Sequence, residues 1–222
     1  MILGICGAGG LGHEVLELAK QINLINNRWT SYYFVETEQY IQNNSTQVCG
    51  IDVNTFDMLI TQYSRTDIEF VIGVGEPAIR EKIANEIISE GYQLATLIHP
   101  NVHIPDSANI GDGTVINSNA FVSCDVNIGQ NAYIQQSASI GHDVTIGDNS
   151  VISTFVNFSG ACQVGCNTFV GMSTCIKEKV KIGSHSIVSL GSVVIRDIPD
   201  GVIAVGNPAR PMKKNDEMRV FR

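Results

Sequence analysis

The chain has 222 residues, 44% of them apolar, with 22 acidic against 14 basic side chains and a formal charge of −8. That length holds one large domain or two small ones, and the net acidity argues against a nucleic-acid protein, which needs clustered Lys and Arg to neutralise phosphates. No run reaches the roughly eighteen apolar residues of a membrane span, and residues 1–12 lack the basic flank of a signal peptide, so a cytoplasmic protein is expected.

The first half opens on an apolar run, residues 2–6, that reads as a buried parallel strand. Gly7-Ala8-Gly9-Gly10-Leu11-Gly12 then fits G-x-G-x-x-G, and residues 14–22 follow with helical apolar spacing at Val15, Leu16, Leu18, Ala19 and Ile22. A glycine turn between strand and helix presents backbone N–H groups and the positive end of the helix dipole, which together hold an anion. A second strand over 32–35 ends at Glu36, whose carboxylate can accept hydrogen bonds from a ribose or base. A third run, 68–74, leads into Gly75 and a helix from about Pro77 to Ser89, with proline favourably placed in its first turn. About 95 residues suit one β-α-β-α-β mononucleotide unit and leave no room for the second half that a bound NAD requires. Two readings of the glycine turn stay open: a nucleotide-diphosphate site, or a turn that only packs helix on strand.

The second half is a repeat. From Ile104 to Val194, sixteen positions six residues apart are all apolar, and fifteen of them are Ile or Val. Gly follows directly at 111, 129, 141, 147, 165, 171 and 183, and small residues recur four places on, as at Ala108, Thr114, Ala120 and Ala132. Neither a 3.6-residue nor a two-residue period produces this spacing. A coil of short strands does, each hexad pointing one β-branched residue inward and turning a corner at a small one. Three hexads close a triangular turn, so residues eighteen apart stack in a column, and the span from 104 to 199 makes a little over five turns of a hexapeptide-repeat β-helix.

Of five histidines, His142 stands apart. It occupies the third place of its hexad and so projects outward at a corner, with Cys124 and Gly160 as column neighbours. Gly160 leaves a gap and a bare N–H beside the ring, and Asp143 can fix the tautomer by accepting the other ring proton. His13, just after the glycine loop, can touch a ligand or lie exposed; His99 caps or packs at the junction of the halves; His103 and His185 fall on coil turns and read as solvated. The six cysteines form no C-x-x-C pair and read as small buried thiols in a reducing compartment, with no metal site expected.

The glycine-loop domain, the hexad coil, His142-Asp143, Gly73-Val74-Gly75, Leu97-Ile98-His99-Pro100 and the ending Gly206-Asn207-Pro208-Ala209-Arg210 together resemble a bacterial sugar acetyltransferase family. Its members include nucleotide-linked 4-amino-sugar N-acetyltransferases and sialic acid O-acetyltransferases. The resemblance covers nearly the whole chain and implies a Rossmann-like nucleotide-sugar domain over 1–97 and a left-handed β-helix acetyltransferase domain over 98–222, assembled as a homotrimer. It implies acetyl-CoA as co-substrate in a groove between subunits, with His142 as general base supported by Asp143. Gly160 would donate its N–H to the thioester carbonyl; Gly171, Met172 and Gly191 would line the pantetheine; Pro208 would pack by the adenine; and Arg210 would sit near the phosphates. The segment 210–222, with five basic and two acidic residues, agrees with that placement. Gly7, Gly9, Gly10, His13, Glu36 and Gly75 would face the nucleotide sugar. Two positions depart from the family pattern: Leu11 stands where many relatives carry a loop histidine, and Glu36-Thr37 where many carry an aspartate pair.

The implied activity is N-acetylation of the 4-amino group of a nucleotide-linked 4-amino-4,6-dideoxy sugar for a surface glycan, because a free sialic acid has no diphosphate to place on the glycine loop. Sialic acid O-acetylation is the alternative. A metal-dependent lyase or hydrolase on the same coil would need about three histidines at a subunit boundary, and the repeat holds only His142 and His185, 43 residues apart and off a common column. A non-catalytic scaffold would bind no acetyl-CoA.

Overall fold

A computed structural model describes residues 1–221; Arg222, one of the five basic residues counted at the C-terminus, lies outside the described residues. The α/β half carries a five-stranded sheet of order β3-β4-β2-β1-β5. Within it, β1 (Ile2–Cys6) lies parallel between β2 (Ser31–Val35) and β5 (Ile68–Ile72), with β4 (Ile51–Asn54) and β3 (Gln47–Val48) beyond β2. All five residues of β5 are buried, as a strand covered on both faces requires. Helix α1 (Gly10–Asn26) starts inside the glycine loop, earlier than the apolar spacing marks, and buries Val15, Leu16, Leu18, Ala19 and Ile22. Helix α4 (Pro77–Ser89) falls where expected.

The stretch between β2 and β5 holds elements the sequence pattern does not announce. These are α2 (Glu38–Asn43), the strands β3 (Gln47–Val48) and β4 (Ile51–Asn54), and α3 (Phe56–Gln62). Each is short and polar, so side-chain caps define the two helices better than periodicity does. Thr37 and Thr55 accept from the N–H groups of Tyr40 and Met58 at 3.2 Å.

The coil is a left-handed parallel β-helix with three faces. The first face stacks Asn109–Ile110, Asn127–Ile128, Thr145–Ile146, Gln163–Val164 and Lys181–Ile182. The second runs from Leu97–Ile98 through Tyr133–Ile134 to Ile187–Val188, and the third from Phe121–Val122 to Val193–Val194. Strand partners are eighteen residues apart, as Tyr133 and Val151 show. The hexad residues from Ile116 to Val194 form the core, each 4% exposed or less. Inside one column, the hydroxyls of Thr114, Ser150, Thr168 and Ser186 donate to carbonyls of the next turn at 2.7–2.8 Å. Every corner from Asn119 to His185 places its residue in the left-handed region, with φ between 51° and 62°. Asn and Asp, which tolerate that region, fill half of these places.

The α/β half packs on the second face, where Val115, Tyr133 and Val151 join the core built by α1 and β1. Arg80 of α4 is fully buried in this junction. Its guanidinium donates to the carbonyls of Ile72, Val74 and Asn131 and to Asn131 Oδ1, at 2.7–3.1 Å, and lies 5.4 Å from the Tyr133 ring centre. Burial pulls its pKa down to about 10, so it stays charged at neutral pH. After the coil, Val202–Gly206 extends the second face and Ala209–Lys214 turns back antiparallel to it. The remaining segment crosses to the α/β half: Arg210, Lys213 and Lys214 lie on the returning strand, while Arg219 lies in the crossing segment, next to the Val220 N–H that reaches Glu76. The thiols also depart from expectation. Cys6 and Cys162 are buried, and burial raises both pKa values, but four thiols are exposed: Cys49 in the turn between β3 and β4, and Cys124, Cys166 and Cys175 at outward-facing strand and corner positions of the coil.

Candidate active site

His142 follows Ser139–Ile140 of the third face and leads into Thr145–Ile146 of the first, at the corner opposite the α/β half. Its side chain is 62% exposed, and Nδ1 lies 2.7 Å from Asp143 Oδ2. Asp143 sits at the left-handed corner position, φ 59°, which lets its carboxylate curl back to the ring preceding it. With Nδ1–H donating to the carboxylate, Nε2, over Gly160, is the ring nitrogen left to accept a proton.

Gly160 lies directly beneath that ring: a Cβ there would collide with Cε1 and Nε2 of His142. Its N–H donates to no group among the described residues, whereas the neighbouring Ala161 N–H is taken by His142 O at 2.8 Å. A basic nitrogen and a free N–H therefore share one notch. Such a pairing is chemically able to accept a proton on one side and to stabilise developing negative charge on the other.

The other expected acetyl-CoA residues lie on a different edge of the same chain. Gly171 and Met172 follow Phe169–Val170, and Gly191 follows Ile187–Val188, both at the corner between second and third faces. Met172 and Leu190, one column, are 50% and 77% exposed and offer a thin apolar ligand a ledge. Pro208 and the exposed Arg210 stand beyond it, at the turn into the returning strand. These residues suit a pantetheine chain and its phosphates, but one chain does not bring them to His142.

The glycine loop divides in two. Gly12 packs so closely that a Cβ would strike Gly7 O, and Gly7, at φ +107°, lies against Gly73. A Cβ at Gly9 or Gly10 would meet nothing within 4 Å, so these two glycines serve no packing within the chain. The first turn of α1 has no side-chain cap. Ala8 N–H donates to Glu36 Oε1 at 2.9 Å, so the expected ribose acceptor also braces the loop. Beyond Gly7 and Glu36 opens a cleft of about 430 Å³, walled by Thr37, Thr55, Phe56, Asp57, Ile79 and Glu86 among others. Its far wall comes from the short elements that hydrophobic periodicity misses; the Thr-x-x caps are the signal that locates them.

His13 is not in that cleft. It is half-buried against Phe34, ring centres 5.7 Å apart, with a buried Nε2 lacking a partner among the described residues. His99 caps and packs as expected, accepting from Asn101 N–H and meeting Gln21 Oε1 at 2.6 Å. His103 is exposed, while His185 is half-buried because Asn215 anchors the C-terminal segment on its carbonyl. No group of three or more potential metal-ligating side chains occurs among the described residues, and no helix is long and apolar enough to cross a membrane.

Comparison with known proteins follows the same division. Residues 3–87 match the PglD N-terminal domain, and residues 125–160 match the bacterial transferase hexapeptide family of six repeats. A search of curated protein sequences gives no match. Among solved structures, the acetyltransferase domain of PglB from Neisseria gonorrhoeae FA1090 superposes with a TM-score of 0.86 at 28% identity, covering 95% of this chain and 99% of that one. It has also been solved with acetyl coenzyme A. A perosamine N-acetyltransferase from Caulobacter crescentus, solved with CoA and GDP-perosamine, gives 0.86 at 25% identity, covering 96% and 98%. WeeI from Acinetobacter baumannii AYE gives 0.87 at 25%, covering 96% and 100%. The resemblance to bacterial sugar acetyltransferases is borne out.

Proposed function

We propose that this hexapeptide-repeat acetyltransferase, an enzyme using acetyl-CoA, acetylates the 4-amino group of a nucleotide-linked 4-amino-4,6-dideoxy sugar. Acetyl-CoA supplies an activated thioester. The amine attacks the thioester carbonyl while His142 Nε2 takes its proton, Asp143 holds Nδ1–H and supports the imidazolium, and Gly160 N–H donates to the acyl oxygen as charge gathers there. The C–S bond then breaks, and the CoA thiolate leaves with the proton that the imidazolium returns. The observation that carries this reading is the notch itself, an unshielded base and a free N–H kept together because residue 160 has no Cβ.

The α/β half, 1–97, is assigned to the nucleotide sugar and 98–222 to acetyl transfer. Four carboxylates, Glu36, Glu38, Asp57 and Glu86, line the 430 Å³ cleft, which favours a ribose and base that donate hydrogen bonds over a diphosphate. The diphosphate belongs on the uncapped N–H groups beside Gly9 and Gly10, with Gly75 nearby. His13, turned against Phe34, is assigned a supporting place behind the loop. A homotrimer completes the site. The α/β half covers the second face and His142 lies at the opposite corner, so acceptor and base from one chain are separated by the coil. A second copy that presents its Gly171, Met172 and Gly191 edge, with Pro208 and Arg210, supplies the acetyl-CoA contacts missing at His142. A cytoplasmic role in surface-glycan synthesis follows from that substrate class.

The test is a panel: UDP-, dTDP- and GDP-linked 4-amino sugars and free sialic acid, each with acetyl-CoA. Acetylation of a nucleotide-linked amine with no turnover of sialic acid is expected. Turnover of sialic acid alone would replace this reading with O-acetylation.

A further inference from the structure

Glu76, at the start of α4, is a buried carboxylate, 6% exposed, and no basic side chain forms an ion pair with it among the described residues. A carboxylate withdrawn from water needs hydrogen bonds in compensation. They come from the far end of the chain. Val220 N–H donates to Oε1 and Oε2 at 2.8 and 2.9 Å, and Phe221 N–H donates to Oε2 at 3.2 Å. Asn215, 8% exposed, anchors the same segment to the coil through His185 O. The C-terminal segment is therefore fixed at two points and crosses from coil to α/β half.

What this clasp positions is the Phe221 ring. It stands edge-on to Phe169 of the coil, ring centres 5.6 Å apart at 85°. A carbon built on Gly75 would lie 3.5 Å from Phe221 Cε2 and 3.5 Å from Leu11 Cδ2. The ring thus sits where the glycine loop, the strand end at Gly75 and the second face of the coil converge. Yet 55% of Phe221 remains exposed. Phe169 and Gly75 prop the ring, and Leu11 of the glycine loop approaches the same place on Gly75; the rest of the ring is open.

We propose that Phe221, with Leu11, forms the wall of the acceptor-sugar subsite and packs against the C–H-rich face of the sugar carried by the nucleotide diphosphate. The proposal rests on the nucleotide-sugar reading and deepens it. A sugar tethered to a diphosphate on the glycine loop must leave beside Leu11, and this wall offers it no hydrogen-bond partner. A deoxy carbon packs there; a hydroxyl at the same place loses its water without replacement. Glu76 is a positioning residue, acting through the segment it holds.

Phe221→Ala tests this directly, since an exposed ring can be removed without unfolding the protein. The expected result is a KM for the nucleotide-linked amino sugar raised about tenfold, with KM for acetyl-CoA and the melting temperature unchanged. Phe221→Leu should recover most of the loss, and Glu76→Ala should shift the same KM in the same direction. A Phe221→Ala enzyme with wild-type KM for the nucleotide sugar, or with a higher kcat/KM, would overturn the proposal alone. A wild-type enzyme that turns over no nucleotide sugar would overturn the underlying reading as well.

Discussion

A carbon added at Gly141 or Gly147 of the coil would meet the backbone of the next turn at 2.7 or 2.6 Å, whereas one added at Gly9 or Gly10 of the α/β half would meet nothing within 4 Å. In the coil, stacking sets the glycines that follow an inward Ile or Val: the turn above leaves them no room for a side chain. Gly160, like Gly113 beside Leu94, differs from these: what a Cβ there would strike is a side chain, the His142 ring, rather than backbone. In the α/β half, Gly7, Gly12 and Gly73 pack against neighbouring backbone, whereas Gly9, Gly10 and Gly50 face empty space and Gly75 meets only Leu11 and Phe221. The two candidate sites therefore differ: at Gly160 the missing Cβ makes room for a side chain, and at Gly9 and Gly10 it leaves the loop backbone open.

The sharpest test of the coil's side of this contrast is His142→Ala. Loss of a general base should lower kcat by roughly 10²–10⁴-fold. The coil should remain intact, because the side chain is 62% exposed and packs into no core. A variant that kept wild-type turnover with unchanged assembly and melting temperature would remove the base from this corner.

Gly160→Ala should come next, with kcat down about 10²–10³-fold, the loss typical of one oxyanion donor. The added methyl must push the ring off the notch and crowd the free N–H together. Because both effects act at one place, His142→Ala/Gly160→Ala should be little worse than His142→Ala alone, a non-additivity measurable by a double-mutant cycle. Additive losses would mean that the two residues work separately.

Arg80→Met breaks the joint between the regions instead. The methionine fills space but leaves the carbonyls of Ile72, Val74 and Asn131 without their donor. At about 1–3 kcal/mol for each unsatisfied buried group, a loss of roughly 3 kcal/mol or more is expected. Denaturant unfolding should separate into two transitions, the α/β half melting before the coil. One unshifted transition would show that apolar contacts around Tyr133 and Val151 suffice to couple them.

The coil was legible in the sequence down to register, because its core is a one-dimensional rule: every sixth residue inward, every eighteenth in contact. His142, Asp143 and Gly160 could therefore be brought together from numbering alone. The rule said less about corners. Asn or Asp stands at half of the left-handed positions, three places after the inward residue, a weaker pattern than the small residue at the next place. In the α/β half, β1, α1, β5 and α4 showed themselves by apolar pattern, but α2, β3, β4 and α3 bury little and are defined by Thr caps and tertiary fit. The Glu76 clasp was out of reach for a different reason. Its partners are 144 residues apart and joined through backbone N–H groups, which leave no trace in side-chain identity.

The smallest expected effect is the most informative about what surrounds the corner. Asp143→Asn keeps a residue that tolerates φ 59°, so the turn should survive. The amide oxygen can still accept from His142 Nδ1–H; only the charge is lost. In the single chain, His142 and Asp143 are 62% and 59% exposed, and an exposed pair contributes about 0.2–1 kcal/mol. On that footing kcat should fall by less than about tenfold, with the melting temperature unchanged. The same charge in a water-excluded notch would support the imidazolium far more strongly. A loss approaching that of His142→Ala would therefore show that a neighbouring copy covers this corner during turnover. The size of the Asp143→Asn effect thus reports whether the notch works open, as in one chain, or closed by a second coil.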